Sequence, residues 1–502
     1  MPLSARTLAF ATRSFRRERF AFPGRIGPGR MLLAIFSASA AMASLPPPVG
    51  RIVVEPLPAL PMTGFRFPES EATLTRWITG MTRGADADTV QAAFENIHRH
   101  AWGLWTALTM ETAQRSEGQP LRVFETWLTP EELVAHADLP NAAAVAQWPR
   151  RRAALRQLGQ FRLRATRAAS AGLTAGDGAI DRIAGFIKFD PTAADHILAQ
   201  GLLRVATLDA LLQGGAQQIP PFPSAALAAK PVFQILRRQD LVDGRYYALK
   251  AWSGPPAQPQ AWPPALWPGA VWIDLLDGGE GSGAIDEHPQ ADGSTRTDAT
   301  TYPLASLIHY RLSAADAATL DDEKPGTDAG AGDYAVLVAM HISSREIARW
   351  TWQTFWWTPA PAEPPAPSSP AIAALRPPQL RGAAQHYAMV LAYTMLSPDQ
   401  PYVAGENTGA AVYAYNPWIE AAFAPEDLPD SRAGLDPAGR PAPNNVGVET
   451  NCMSCHAQAT YDPNPLTPAP RFTGARYVDL DDAQFIGTLQ LDFLWSIARR
   501  AK

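Results

Sequence analysis

Cysteine is nearly absent: the 502 residues contain two, Cys452 and Cys455. That count excludes a disulfide framework, and it excludes a zinc site built from two cysteine pairs. Membrane-spanning runs are missing too, because the N-terminal apolar stretch Met31–Ala43 falls short of the roughly 20 residues a transmembrane helix needs. No repeat of solenoid period runs through the chain. The balance of 43 basic against 48 acidic residues offers no cationic excess with which to hold nucleic acid. The glycine-rich stretch Gly278–Gly283 lacks the lysine-serine pair and following helix of a phosphate cradle, and reads as a flexible loop. What is abundant is apolar and prolyl. The chain is 46% hydrophobic, enough for a large core, and its 48 prolines favour loops, turns and edges over long helices. At this length two or three domains are expected.

The two cysteines lie in Asn451-Cys452-Met453-Ser454-Cys455-His456, a C-x-x-C-H pattern. This is the spacing of covalent haem attachment. One helical turn sets two thiols where both vinyl groups of a haem can become thioethers, and the next residue points an imidazole at the iron. Other uses of these residues fit less well. A thioredoxin-like pair wants a strand and a helix around it, whereas Ala457–Pro470 reads as loop. Zinc would need about four N or S ligands, and a disulfide across two intervening residues would close too small a loop to constrain the chain much. On these six residues the sequence resembles the c-type cytochromes. The resemblance implies one haem c held covalently by Cys452 and Cys455, with His456 as the proximal iron ligand, in an exported electron-transfer protein. A more diffuse similarity, carried by Phe124-Glu125-Thr126-Trp127 and the tryptophan-rich stretch 350–357, is to large exported proteins of the cytochrome c family, and no activity comes with it.

The first residues read as a signal peptide or N-terminal targeting segment, 1–43. Arg13, Arg16, Arg17, Arg19, Arg25 and Arg30 form a basic lead, Met31–Ala43 is the apolar run, and Ala41-Met42-Ala43 is a small-x-small cleavage pattern before Ser44. A periplasmic location follows from the resemblance, since haem is joined to c-type apoproteins outside the bacterial cytoplasm. Removal of this arginine-rich segment makes the remainder more acidic than the net charge of −5 for the whole chain. The mature chain is then expected to span no membrane and bind no nucleic acid, and its acidic charge reads as simple solubility or as a means of steering a basic redox partner protein towards it.

Residues 44–184 read as a helical region. Helices are expected at Glu71–Met81 and Asp86–Met110, the second with Phe94, Ile97, Ala101, Leu104, Trp105 and Leu108 at helical spacing. Another is expected at Ala142–Leu158, and Phe124–Trp127 is strand-like. Residues 185–358 form a β-rich domain. Runs at Pro231–Leu236, Tyr246–Trp252, Val271–Leu276, Leu304–Tyr310, Ala335–Ile342 and Trp350–Trp357 predict an antiparallel β-sheet or sandwich. In the last run, alternation puts Trp350, Trp352 and Trp356 on one face, as core or as a wall for a porphyrin. Residues 359–379 are a Pro-rich linker. Residues 380–502 are expected to be a mostly helical cytochrome c-like haem-binding region, with helices at Leu380–Leu396 and Asp481–Lys502. The fold class is therefore α+β.

Residues 457–502 contain neither methionine nor histidine, whereas small cytochromes of the resembled type take their second axial ligand from a later methionine. The distal ligand therefore comes from upstream or is missing. Upstream candidates are His341, Met340, His386, Met389, Met395 and His309; Met453 lies inside the motif and faces the wrong way. His341 is taken as the candidate distal ligand or distal-pocket residue, with Arg345 and Glu346 as further polar groups. His98 and His100 point to different sides of one helix and cannot both serve one iron. With both axial positions filled, the iron passes one electron at a time. With the distal side open, the protein is a haem-dependent oxidoreductase or a sensor that binds a small ligand such as peroxide or nitric oxide.

Overall fold

The computed structural model describes residues 51–81, 85–152, 155–156, 182–323, 326–400, 409–428, 446–463 and 477–501, all within one compact unit, Pro48–Lys502. Residues 1–43, expected to be a targeting segment, lie outside the described residues. The architecture is mixed helix and sheet, as expected.

Three of the β-branched and aromatic runs, at 231–236, 335–342 and 350–357, fall in a seven-stranded sheet. Its long members are β1 (Leu227–Leu236), β2 (Tyr334–Ser344), β3 (Thr351–Trp357) and β4 (Tyr387–Ala392). They lie in the order β4-β3-β2-β1, each pair antiparallel, and Ile183–Gly185 and Lys188–Phe189 extend the far side of β1. The short strand His309–Arg311 pairs with the start of β2. Every residue of β3 and β4 is buried. A sheet covered on both faces has no solvent side, so its strands read as continuous apolar runs. A second sheet holds Tyr246–Lys250, Ala270–Asp274 and Thr301–Pro303, the last two paired in parallel. Antiparallel pairing thus describes the larger sheet and only part of the smaller.

Two helices stand where the periodicity places them, α1 (Glu71–Gly80) and α2 (Ala87–Thr109). Asp86 caps α2 by accepting the Thr89 N–H at 2.8 Å. The apolar stripe of α2 lies against one face of the sheet, where Trp105 stacks on Phe355 with ring centroids 4.4 Å apart. Gly103 admits Phe65 on the other side of the helix, since a Cβ there would sit 2.0 Å from the Phe65 ring. Gly103→Ala is expected to destabilise the fold by about 1–3 kcal/mol through overpacking, read as a lower midpoint of urea unfolding.

Several expected elements differ. Phe124–Trp127 is not a strand: Val123–Thr126 is one helical turn, in which Glu125 accepts the Arg122 N–H at 2.7 Å and the Thr126 hydroxyl donates to the Val123 carbonyl at 2.7 Å. These local bonds compete with a sheet ladder. The helix expected at Ala142–Leu158 stops at Val145, ahead of Pro149, which has no N–H to continue it. Leu380–Leu396 is no helix. Gly382–His386 is a 3-10 turn, and Tyr387–Ala392 is β4, each residue of which meets a partner on β3. Asp481–Lys502 breaks into a 3-10 turn at Ala483–Phe485, a strand Leu489–Gln490 paired with Thr460–Tyr461, and a short helix Ser496–Arg500. Gly487, Asp492 and Phe493 take positive φ, which a continuous right-handed helix cannot contain. The described part of 380–502 is therefore mostly turn and short strand.

The Pro-rich segment is a packed connection between two neighbouring strands, β3 and β4. The Trp102 indole donates to the Ile372 carbonyl at 3.0 Å, and Trp252 donates to Ala366 at 2.7 Å. Because the sheet takes strands from both sides of this segment, 44–184, 185–358 and 380–502 contribute to one unit rather than to three.

Candidate functional site

The motif forms a one-turn helix, α3 (Cys452–His456). Asn451 caps it, accepting the Ser454 N–H at 3.1 Å while its own amide donates to the carbonyls of Thr394 at 3.1 Å and Val412 at 2.8 Å. Backbone bonds from Cys455 to Asn451 and from Ala457 to Met453 close the turn. Met453 and Ser454 are buried, whereas Cys452, Cys455 and His456 are half-buried, which gives the short helix one accessible side. Neither thiol is in a disulfide. The Cys452 thiol donates to the Ala414 carbonyl at 3.1 Å. Burial, with the Glu420 carboxylate nearby, pushes this thiol well above its ordinary value. A redox-active pair would need the opposite, a stabilised thiolate.

His456 is held from two directions. Its Nδ1–H donates to the Phe493 carbonyl at 2.8 Å, and its ring lies against the Trp352 indole with centroids 4.0 Å apart and planes at 32°. The first contact fixes the tautomer, so the lone pair resides on Nε2. Burial pushes the imidazole down to about 3, and the neutral ring is the form that ligates a metal.

Strand register shows what else faces α3. Residues directly opposite each other on neighbouring strands share a face, and alternate residues of a strand share it too. Lys230, His341, Thr354 and Val390 lie opposite one another across β1 to β4. The neighbouring row on the same face holds Ser343, Trp352 and Ala392, and Trp352 carries His456. His341 is therefore on the motif's side of the sheet. Its Nε2 meets Glu420 Oε1 at 3.0 Å, and the other Glu420 oxygen accepts the Asn416 N–H at 2.8 Å. Asn416 in turn donates to Thr354 Oγ1 at 2.7 Å and to the Phe355 carbonyl at 2.9 Å, which ties this loop to β3. Burial works against the Glu420 charge, but His341, Lys230 and the Asn416 N–H together hold its carboxyl below the ordinary range. The charges of Lys230, His341 and Glu420 are all felt at His456.

The other candidates lie elsewhere. Met340 and Met389 sit on the opposite face, in register with Phe355 and beneath α2. Met395 is buried, and its sulfur accepts the Val478 N–H at 3.1 Å. His309 lies opposite Val336 at the start of β2 and donates to the Leu307 carbonyl at 2.8 Å. His386 ends the turn before β4, with burial and Arg376 lowering its affinity for a proton. On α2, His98 donates to the Phe94 carbonyl at 2.7 Å, while buried His100 bonds the Tyr393 hydroxyl at 2.7 Å and Glu346 at 3.1 Å. Glu346 also accepts the Glu69 N–H at 2.6 Å, and Arg345 pairs with Asp492 at 2.9 Å. Both polar alternatives to His341 are thus committed to other groups. Glu420, Lys230 and the Phe493 carbonyl were not foreseeable from spacing, since Glu420 meets a histidine 79 residues away and a backbone acceptor has no side-chain signature.

Among the described residues no group of three or more His, Cys, Asp or Glu side chains is placed to hold a metal ion by itself. Compared with family models, with curated proteins and with solved structures, the chain finds no match.

Proposed function

We propose that this chain is an exported monohaem c-type haem protein that acts in electron transfer. One haem c would be held by thioethers to Cys452 and Cys455, with His456 as its proximal ligand. The observation that carries the reading is the 2.8 Å bond from His456 Nδ1 to the Phe493 carbonyl. It is the outer contact that metal-ligating histidines make, directing Nε2 at the metal and raising its basicity. The residues fit the group in two further respects. The cysteines and the histidine occupy the accessible side of a single turn, and the Trp352 indole lies against the face of the imidazole. When bound, such a haem supplies one-electron redox chemistry, at a potential set by its axial ligands, hydrogen bonding and burial. The chain's own part is to orient the imidazole, keep it neutral and shield one side with the sheet. An acidic exported protein of this kind would meet a basic redox partner in the periplasm.

A second reading is favoured by one contact. His341, the histidine on the motif's side of the sheet, has its Nε2 engaged by Glu420 at 3.0 Å. A ring held in this way is set up to exchange a proton with a small ligand instead of binding iron through that nitrogen. The protein would then be a haem enzyme or sensor for peroxide or nitric oxide, with His341 in the distal pocket. Absorption spectra of the ferric and ferrous holoprotein with and without carbon monoxide separate the two. A low-spin spectrum that carbon monoxide leaves unchanged supports the carrier and makes His341 or another upstream residue a ligand. A high-spin ferric form with rapid carbon monoxide binding supports the open site.

A further inference from the structure

The carbonyl that orients His456 sits at an unusual piece of backbone. Asp492 and Phe493, neither of them glycine, take φ of +44° and +70° in succession. Left-handed backbone is unfavourable for an ordinary residue, and it persists only where the surroundings over-determine it. The surroundings here act on the Asp492 side chain, which is 2% exposed. Its Oδ2 accepts the Phe222 N–H at 2.9 Å and Arg345 Nε at 2.9 Å, while Oδ1 lies 3.2 Å from the same Nε and 3.4 Å from Gln218 Nε2. Arg345 is itself fixed, its N–H donating to the Ala226 carbonyl at 3.0 Å and its Nη1 to Ile347 at 2.9 Å. It directly follows β2, the strand that carries His341. On the other side, Leu491 N–H bonds the Ala459 carbonyl at 2.9 Å, which ties the turn to the chain just after α3.

We infer that Asp492 and Arg345 are positioning residues for the proximal histidine: their partly buried ion pair fastens the strained turn to the end of β2 and so holds the Phe493 carbonyl on His456 Nδ1. The inference rests on the haem reading for its consequence at the iron, but the clamp itself is a property of the polypeptide. A charge-assisted pair whose carboxylate is buried is strong and directional, and the donor bond it supports tunes the basicity of the ligating nitrogen. Side chains that touch neither haem nor histidine would thereby set the reduction potential.

Two measurements on the full-length protein test this. In the holoprotein, Asp492→Ala is expected to raise the reduction potential, because a less basic imidazole stabilises the ferric state less. Asp492→Asn and Arg345→Lys, which keep part of the contact, should shift it less. In a haem-free Cys452→Ser/Cys455→Ser background, with folding checked by urea unfolding, nitrogen NMR should find His456 protonated at Nδ1 alone. With Asp492→Ala added, it should find a mixture of tautomers. Gly103→Ala serves as the control that loses stability on the far face and is expected to move neither readout. The clamp is refuted if Asp492→Ala moves neither potential nor tautomer, or if Gly103→Ala moves them equally. A tautomer change accompanied by no covalent haem in the wild type upholds the clamp and removes the haem reading.

Discussion

Replacing Cys452 and Cys455 together by alanine should abolish covalent haem attachment, leaving a protein from which acid acetone extracts all colour, while the wild type retains its haem in the same treatment. Each thioether requires one thiol, so each single variant should keep one bond and shift the spectrum of the alkaline pyridine adduct towards that of a haem with one vinyl group intact. The structure gives a reason to expect efficient attachment in the wild type. Both sulfurs lie on the half-buried side of α3, and the turn is pinned by Asn451 before any cofactor arrives. Burial raises the Cys452 thiol well above its ordinary value, which keeps thiolate scarce and slows oxidation to a disulfide in an oxidising compartment. His456→Ala should behave differently, leaving both thioethers but removing the proximal ligand, so that covalent haem persists with an altered spin state. Haem that acid acetone removes completely from the wild type would end the c-type assignment.

The motif was legible because covalent chemistry demands fixed residue types at fixed spacing. Its surroundings were not, because they are assembled across the chain. His341 could be named as a candidate but not separated from Met340, its neighbour in sequence. Only the register of β2 against β3 puts the first on the Trp352 face and the second on the Phe355 face. Strands did better than helices as predictions. The runs ending at Leu236, Ile342 and Trp357 lie within β1, β2 and β3, apart from Trp350 just before the last, since β-branched and aromatic residues in short bounded runs have few other uses. Leu380–Leu396 failed for the converse reason. An apolar run with alanine and methionine suits a buried strand as well as a helix, and the open edge of β3 decided between them. At the C-terminal end, Phe485, Leu489, Phe493, Leu494 and Ile497 are all buried, so the apolar pattern was read correctly as core. The helical geometry attached to it was wrong, because the turn at Asp492 and Phe493 depends on Arg345, 147 residues away.

The largest loss of stability should come from the face that does not carry the motif. Trp105 is fully buried in α2, stacked on Phe355 at 4.4 Å and tilted against Tyr387 at 4.9 Å, with its indole N–H donating to the Ala384 carbonyl at 3.0 Å. Trp105→Ala removes the ring, leaves a cavity between helix and sheet, and strands a carbonyl in the core. Truncations of this kind cost about 3–5 kcal/mol, and the unpaired carbonyl adds about 1–3 kcal/mol unless water reaches it. Tyr387 shares the stack and fastens β4 to β2 by donating to the Leu337 carbonyl at 2.7 Å, so its strand should loosen as well. Urea unfolding of the variant should show the lower midpoint, with a fall exceeding that of Gly103→Ala. Phe355 points towards α2 and Trp352 towards α3, so the sheet separates the lesion from His456. The absorption spectrum of whatever remains folded should therefore match the wild type. A spectrum that changes at concentrations of urea where the variant is still folded would show that the two faces are coupled through β3.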